Sequence, residues 1–191
     1  PWLHRFTQSD GSWWHRRFNE PRLGGRIAVG ATLETSIGPV EIFTTHLENN
    51  QGPIERADAL RELFDRRLTH LPSVFGGDLN TSTLNPRLHT DPFRERAELA
   101  AAYPNRFLHP CAHEPLFDLC HHHEFQWGTC NTKDVTQRPR ERGYPKAPLG
   151  RIDWFFVKQL IAQHPKTIPA IGRDGLTISD HDLIVCDLLL R

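Results

Sequence analysis

Four short runs carry the residues best suited to chemistry: Thr45-His46-Leu47, Gly76-Gly77-Asp78-Leu79-Asn80, Arg151-Ile152-Asp153-Trp154 and Ser179-Asp180-His181. They offer three carboxylates (Asp78, Asp153, Asp180), two imidazoles (His46, His181) and one amide (Asn80). Water attack on a phosphodiester needs such a set. Carboxylates hold a divalent cation against the phosphate oxygens. A base orients or deprotonates the water, and donors meet the charge developing on phosphorus. Asp supplies the first two functions, and protonated His or the Asn amide supplies the third. Hard oxygen ligands favour Mg²⁺, with Mn²⁺ as the substitute ion.

Singly, these residues have plainer readings. An Asp after two glycines is usually a turn residue, and an Asp-His pair is usually a solvated cap. His46 alone would be a polar residue closing a strand. Their order, with each run beside a predicted strand, moves the balance toward a shared site.

The elements that must position them follow from periodicity. Ile27, Val29, Ala31 and Leu33 alternate, Ser36–Pro39 interrupts, and Val40, Ile42 and Phe43 begin a second β-type run, so a hairpin is expected. Pro53 suits a first helical turn. After it, Ala57, Leu60, Leu63, Phe64, Leu68 and Leu71 recur at helical steps over roughly 53–70. Ser73-Val74-Phe75 reads as a short buried strand leading into Gly76-Gly77-Asp78, where side chains two apart (Asp78, Asn80) would share one face. A second helix is expected near 91–102, with Pro92 at its start. Residues 103–150 read as loops with one short strand near 125–127, and residues 1–25 as an irregular arm. Ile152–Val157 and Leu183–Leu190 are β-type runs. Strand pairs interrupted by helices point to a single domain over 1–191, an α/β (α+β) layered fold with mixed sheets.

Composition bounds the partners. Lys plus Arg and Asp plus Glu are 23 each, so bulk charge gives no pull toward nucleic acid or anionic membrane. The run containing Arg138, Arg140, Arg142 and Lys146 could still contact phosphates, although a solvated loop is the commoner use. Trp13, Trp14, His15, Arg16 and Arg22 could wall a stacking surface, and packing against a sheet edge is the favoured reading. Cys111, Cys120, Cys130 and Cys186 are too few for a disulfide scaffold. They lie near His113, His121, His122 and His123 without a Cys-x-x-Cys spacing, which favours thiols beside surface histidines over zinc. No apolar run reaches the roughly 20 residues of a membrane span, and no signal peptide is visible. A soluble protein is expected, with the cytoplasm slightly favoured and the compartment otherwise open. The chain has no Met at all, which suggests a start inside a longer reading frame or after processing.

The four runs, in this order, resemble the serial motifs of the endonuclease/exonuclease/phosphatase superfamily, the DNase I-like proteins. That group includes DNase I-like nucleases, abasic-site endonucleases, sphingomyelinases and inositol-polyphosphate phosphatases. The likeness runs from about Arg26 to the C-terminus. It implies a four-layer α/β/β/α sandwich of two mixed sheets, with the site at one edge. By resemblance, His181 contacts or protonates the scissile phosphate, and Asp153 orients its ring. Asp180 helps bind the metal, Asp78 positions or deprotonates water, and Asn80 donates to the phosphate or nucleophile. His46 matches a second histidine, a phosphate contact or leaving-group acid. The family's upstream strand bearing Asn, and the Gln-Glu segment with the principal metal ligand, have no match here. Glu20 and Glu34 lie in the wrong context. The chain therefore reads as the later two-thirds of a domain, without its N-terminal strands.

The expected function is Mg²⁺-dependent hydrolysis of phosphodiesters, with nucleic acid, phospholipid headgroups and sugar phosphates all open as substrates. The alternative is a catalytically impaired fragment or pseudoenzyme of the same fold that acts as a binding module. No protein partner is readable.

Overall fold

Alternation between Ile27 and Thr45 builds the hairpin at the heart of the molecule. The computed structural model describes residues 1–6, 13–15, 20–22, 26–36, 38–48, 51–81, 101–102, 104–137 and 150–190. Strand β4 (Ile27–Thr35) pairs antiparallel with β5 (Gly38–Thr45), Ala28 opposite Thr45 and Thr35 opposite Gly38. Gly38, at φ +98°, takes the left-handed conformation that opens β5. Helix α1 (Pro53–Arg67) then carries the chain over to β6 (Ser73–Asp78), which pairs parallel with β5. A parallel neighbour requires such a crossover. Helix α1 ends where its amphipathic face does, three residues before the expected limit.

Strand β7 (Asp153–Lys158) closes that edge of the sheet antiparallel to β6. On the other edge, β1 (Trp2–Arg5) pairs antiparallel with β4. Within the segment expected as an irregular arm, the described residues form strands: β1 extends the main sheet, and β2 (Trp13–His15) and β3 (Glu20–Arg22) form a separate antiparallel pair. The short, aromatic and charged runs there lack the alternation that exposes a strand in sequence. The five-stranded sheet has the order β1-β4-β5-β6-β7. Gln159, at φ +56°, turns the chain out of that sheet into β8 (Leu160–Ile168), which pairs antiparallel with β9 (Leu183–Leu190) in a second sheet. Strand β8 escapes the sequence pattern, because Gln163, His164, Pro165 and Lys166 interrupt its apolar alternation. A register shift falls at that point, with His164 at φ +50°.

The loop reading of 103–150 also fails in part. Helix α2 (Pro104–Leu108), a 3₁₀ turn (Pro110–Ala112) and helix α3 (Pro115–His122) lie within it. Each begins at a proline, which sequence reading takes as loop punctuation but which also suits a first helical turn. Gln126 makes only an isolated bridge to Val157. The helix expected at 91–102 and the Arg138–Lys146 run lie outside the described residues, except that residues 101–102 are helical.

One face of the main sheet meets α1 and α3 through stacked rings: Phe43 on Phe75 at 5.0 Å, Phe75 on Phe156 at 5.4 Å and Phe64 on Phe125 at 5.4 Å. The other face packs on the β8–β9 pair through Val40, Val74, Cys130, Val157, Leu160 and Ala162. The described residues thus build an α+β fold of helices, a mixed sheet and a second sheet. On that second face, Leu3, Val29, Leu33 and Ile42 stay exposed. Among the described residues, no helix is long and apolar enough to cross a membrane.

Close strand packing makes one glycine mandatory. Gly77 sits at φ +140°, and a Cβ built there would fall on the Thr45 carbonyl oxygen. Gly77→Ala should destabilise the fold by at least about 1–3 kcal/mol, since the strain and the clash add. A thermal melt checks this; a melt within a degree of the parent's would mean that β5 and β6 can part freely.

Candidate active site

The candidate residues converge where strands of the main sheet end and β9 begins. Asp78 is the last residue of β6 and Asp153 the first of β7, and the two are paired in register. Adjacent strands lie about 4.8 Å apart, so the register alone brings these carboxylates together. His46 follows the end of β5, where the Leu47 amide donates to the Asp78 carbonyl at 2.9 Å. His181 stands in the loop before β9, its amide bonded to Ser179 Oγ at 3.1 Å.

The side chains form a connected array. His181 Nδ1 lies 2.9 and 3.1 Å from the two Asp153 oxygens. His46 Nε2 approaches Asp78 Oδ2 at 3.2 Å, and His181 Nε2 reaches the same oxygen at 4.0 Å. Two imidazoles therefore converge on one carboxylate oxygen, while Asp78 Oδ1 accepts the Asn80 amide at 2.9 Å. The hydrogen bond that His181 donates to Asp153 is the largest influence on His181 and raises its pKa above the ordinary 6.5; burial opposes this, and the charges of Asp153, Asp78 and Asp180 add to it.

Asn80 is placed differently from the extended-backbone expectation. The strand stops at Asp78, and Asn80 turns to φ +48°. Its side chain is buried, and Nδ2 donates to the Leu47 carbonyl at 2.8 Å. It ties the His46 segment to the Asp78 segment. Asp180 is half-buried and adds to the field at His181.

A clamp that sequence reading did not single out holds the array. Buried Thr136 accepts at Oγ1 from the amides of Ile152 and Asp153, both at 3.1 Å, and its carbonyl accepts the Asp182 amide at 2.8 Å. Gln137 bridges to His181. Residues 136–137 thus lash the start of β7 to the start of β9. Thr81 Oγ1 donates to the Arg151 carbonyl at 2.7 Å and accepts from Trp154 Nε1 at 3.1 Å. No pattern marks Thr136, whereas Thr81 directly follows the Gly-Gly-Asp-Leu-Asn run.

No protein-family model matches this sequence, and no curated protein matches it either. Solved structures do. A conserved protein of unknown function from Enterococcus faecalis aligns with a TM-score of 0.62 at 16% identity, over 99% of this chain and 68% of its own. An endonuclease/exonuclease/phosphatase family protein from Bacteroides thetaiotaomicron aligns at 0.52 and 13% identity, over 97% and 63%. The chain has the endonuclease/exonuclease/phosphatase fold. The endonuclease domain of TRAS1, a telomere-specific non-LTR retrotransposon, shares that fold at a TM-score of 0.52 and 12% identity, over all of this chain and 80% of the other.

The fold implies a divalent cation, and the donors can be tested for one. Among the described residues, Asp78, Asp153 and His181 bring one ligand atom each to within 4.8 Å of one another. Both Asp153 oxygens face His181, and Asp78 Oδ2 faces His46 and His181. Carboxylates with water suit Mg²⁺, which keeps much of its hydration. Two carboxylates and an imidazole within reach of one another fit a divalent cation, with Asp180 adding charge from the adjoining loop.

The dyad has a direct test. Asp153→Asn should lower the pKa of His181, because it replaces the charged acceptor that raises it by a neutral amide. A histidine ring titration by NMR reads this, and an unshifted His181 would show that the contact does not hold in solution. The linkage sign follows from a raised folded value. The pair's stabilisation is present below the unfolded pKa near 6.5 and is lost as pH rises through the folded one.

Proposed function

We propose that this chain is the hydrolytic part of a divalent-metal-dependent phosphoesterase that cleaves phosphodiester bonds, nucleic acid among its candidate substrates. One observation carries the reading: the imidazoles of His46 and His181 flank a single oxygen of Asp78, and Asp153 braces His181 from behind. Asp78 holds the attacking water and draws its proton. His181, whose protonated form the hydrogen bond to Asp153 favours, donates from Nε2 to a phosphate oxygen. His46, exposed at the mouth, delivers a proton to the leaving oxygen. Asn80 positions this group by fixing the Leu47 carbonyl. A bound Mg²⁺ supplies neutralisation of the phosphate oxygens.

The second reading, a binding module with weak or no turnover, is favoured by one feature. Every carboxylate oxygen of Asp78 and Asp153 already faces a histidine or a backbone amide. Hydrolysis of bis(p-nitrophenyl) phosphate with Mg²⁺, against p-nitrophenyl phosphate as the monoester, separates the readings. Diester turnover that chelation abolishes and Mg²⁺ restores supports the enzyme. A folded protein inactive on both esters supports the module, and a clear monoester preference would replace diesterase by phosphatase.

A further inference from the structure

A cavity that shares no lining residue with the catalytic group lies beside the start of β7. Strand alternation sends Asp153 toward the cleft and Trp154 toward the helices. Between Trp154, the 3₁₀ turn and the 127–135 segment is a cavity of about 430 Å³. That volume falls in the range of small-molecule sites, roughly 300–1,000 Å³. Its walls include Trp127, Pro110 and Trp154, its polar lining includes Arg151 and Lys133, and none of its lining residues is acidic.

Arg151 is the informative group. It is 5% exposed, and its guanidinium lies 5.2 Å from the Trp154 ring. Nη1 donates to Thr132 Oγ1 at 3.2 Å and to the Asp134 carbonyl at 2.8 Å, and Nη2 donates to Asn131 Oδ1 at 3.3 Å. All three acceptors are neutral. Nε has no partner among the described residues. A guanidinium has five N–H donors, so two remain unspent. Asp134 and Asp153 act on this charge only through space, and no carboxylate of the described residues pairs with it directly. A buried cation without a paired counter-charge is costly. An anionic ligand would supply the missing charge, while Trp127, half-buried and packed on one side against Phe117 and Phe156, also lines the cavity and offers an aromatic surface to a planar group.

We propose that this cavity binds a planar ring bearing an anionic group, its ring on Trp127 and its charge toward Arg151 and Lys133. The shared chemistry fits two sources, a nucleoside monophosphate or an aromatic carboxylate. The proposal does not depend on the catalytic reading, because none of the residues lining the cavity belongs to the catalytic group.

Cys111 provides the readout. It is an exposed free thiol lining the cavity, while Cys120 and Cys130 are buried and Cys186 is half-buried. Alkylation of Cys111 by iodoacetamide, localised by mass spectrometry, should slow several-fold in adenosine monophosphate or 2-naphthoate. Adenosine and inorganic phosphate should give no protection. Whichever anion protects at lower concentration identifies the source. A Cβ placed on Gly128 would meet nothing within 4 Å, and Gly128 lines the cavity, so Gly128→Leu should be tolerated by the fold, obstruct the cavity and abolish protection. Lys133→Ala should weaken protection, and His181→Ala should leave it intact. Three results would each overturn the proposal: no protection by either anion, equal protection by adenosine, or protection that survives Gly128→Leu in a protein that melts like the parent.

Discussion

Alanine at His181 or at Asp78 should each lower Mg²⁺-dependent diester turnover by at least about 10²-fold, the usual cost of losing a positioned acid or base. The two losses should differ in character. Without His181, the water stays on Asp78 but the phosphate loses a charged donor. Asp153 is then left without its partner, so activity should lose its dependence on the raised His181 titration. Without Asp78, both His46 and His181 lose the oxygen on which they converge, and a hard ligand for the cation goes with it. The Asp78→Ala variant should therefore also need more Mg²⁺ to reach half its residual rate. Because the three residues act as one array, the double variant should be scarcely worse than the worse single one. Additive losses would mean that the residues do not share a reaction. Turnover near the parent's in either single variant removes this mechanism. Both side chains are partly solvent-exposed, so melting temperatures should move little, which separates a catalytic loss from a folding one.

Much of this array is legible in the sequence, run by run. The sequence places Asp78 at the end of one β-type run and Asp153 inside another; that the two strands are antiparallel neighbours, which sets these residues opposite each other, is visible only in the fold. His46 and His181 could likewise be placed at strand termini. The failures are equally physical. Asn80 leaves the strand because its backbone turns left-handed after Asp78, which no periodicity announces. Thr136 is a lone hydroxyl in a proline-rich stretch, and its value lies in which amides it meets. Strand β8 hides because its bulge places Gln163 through Lys166 where alternation would want apolar residues. Helices α2 and α3 hide because proline marks helix starts as well as loops, and both are too short for a clear 3.6-residue repeat. Local spacing reveals faces, but the clamps between distant segments appear only once the chain has folded.

The largest stability effect expected lies in the helix layer. Arg56 and Glu114 are both fully buried, and Glu114 takes the fork of Arg56 in two bonds, 3.2 Å from Nε and 2.7 Å from Nη2. Arg56 Nη1 also donates to the Gln51 carbonyl at 2.6 Å, and Arg106 approaches Glu114 at 3.5 Å. The pair thus pins the start of α1 to the start of α3. Burial pushes the Glu114 carboxyl up, against the pull of Arg56 and Arg106. Glu114→Ala would strand the Arg56 charge in an apolar layer, a loss of about 3–5 kcal/mol. That is a large share of the roughly 5–15 kcal/mol by which domains are stable, and for a chain of this size it lowers Tm by roughly 10 °C or more. Replacing both partners should be far milder. In Arg56→Met with Glu114→Leu, apolar volume fills the site and no charge is left stranded, because Arg106 is partly exposed and can turn to water. Comparing the two melts separates the cost of an unpaired charge from the net worth of the pair. If Glu114→Ala melts no lower than the double variant, Arg56 finds water in the folded protein, and the pair does not pin α1 to α3.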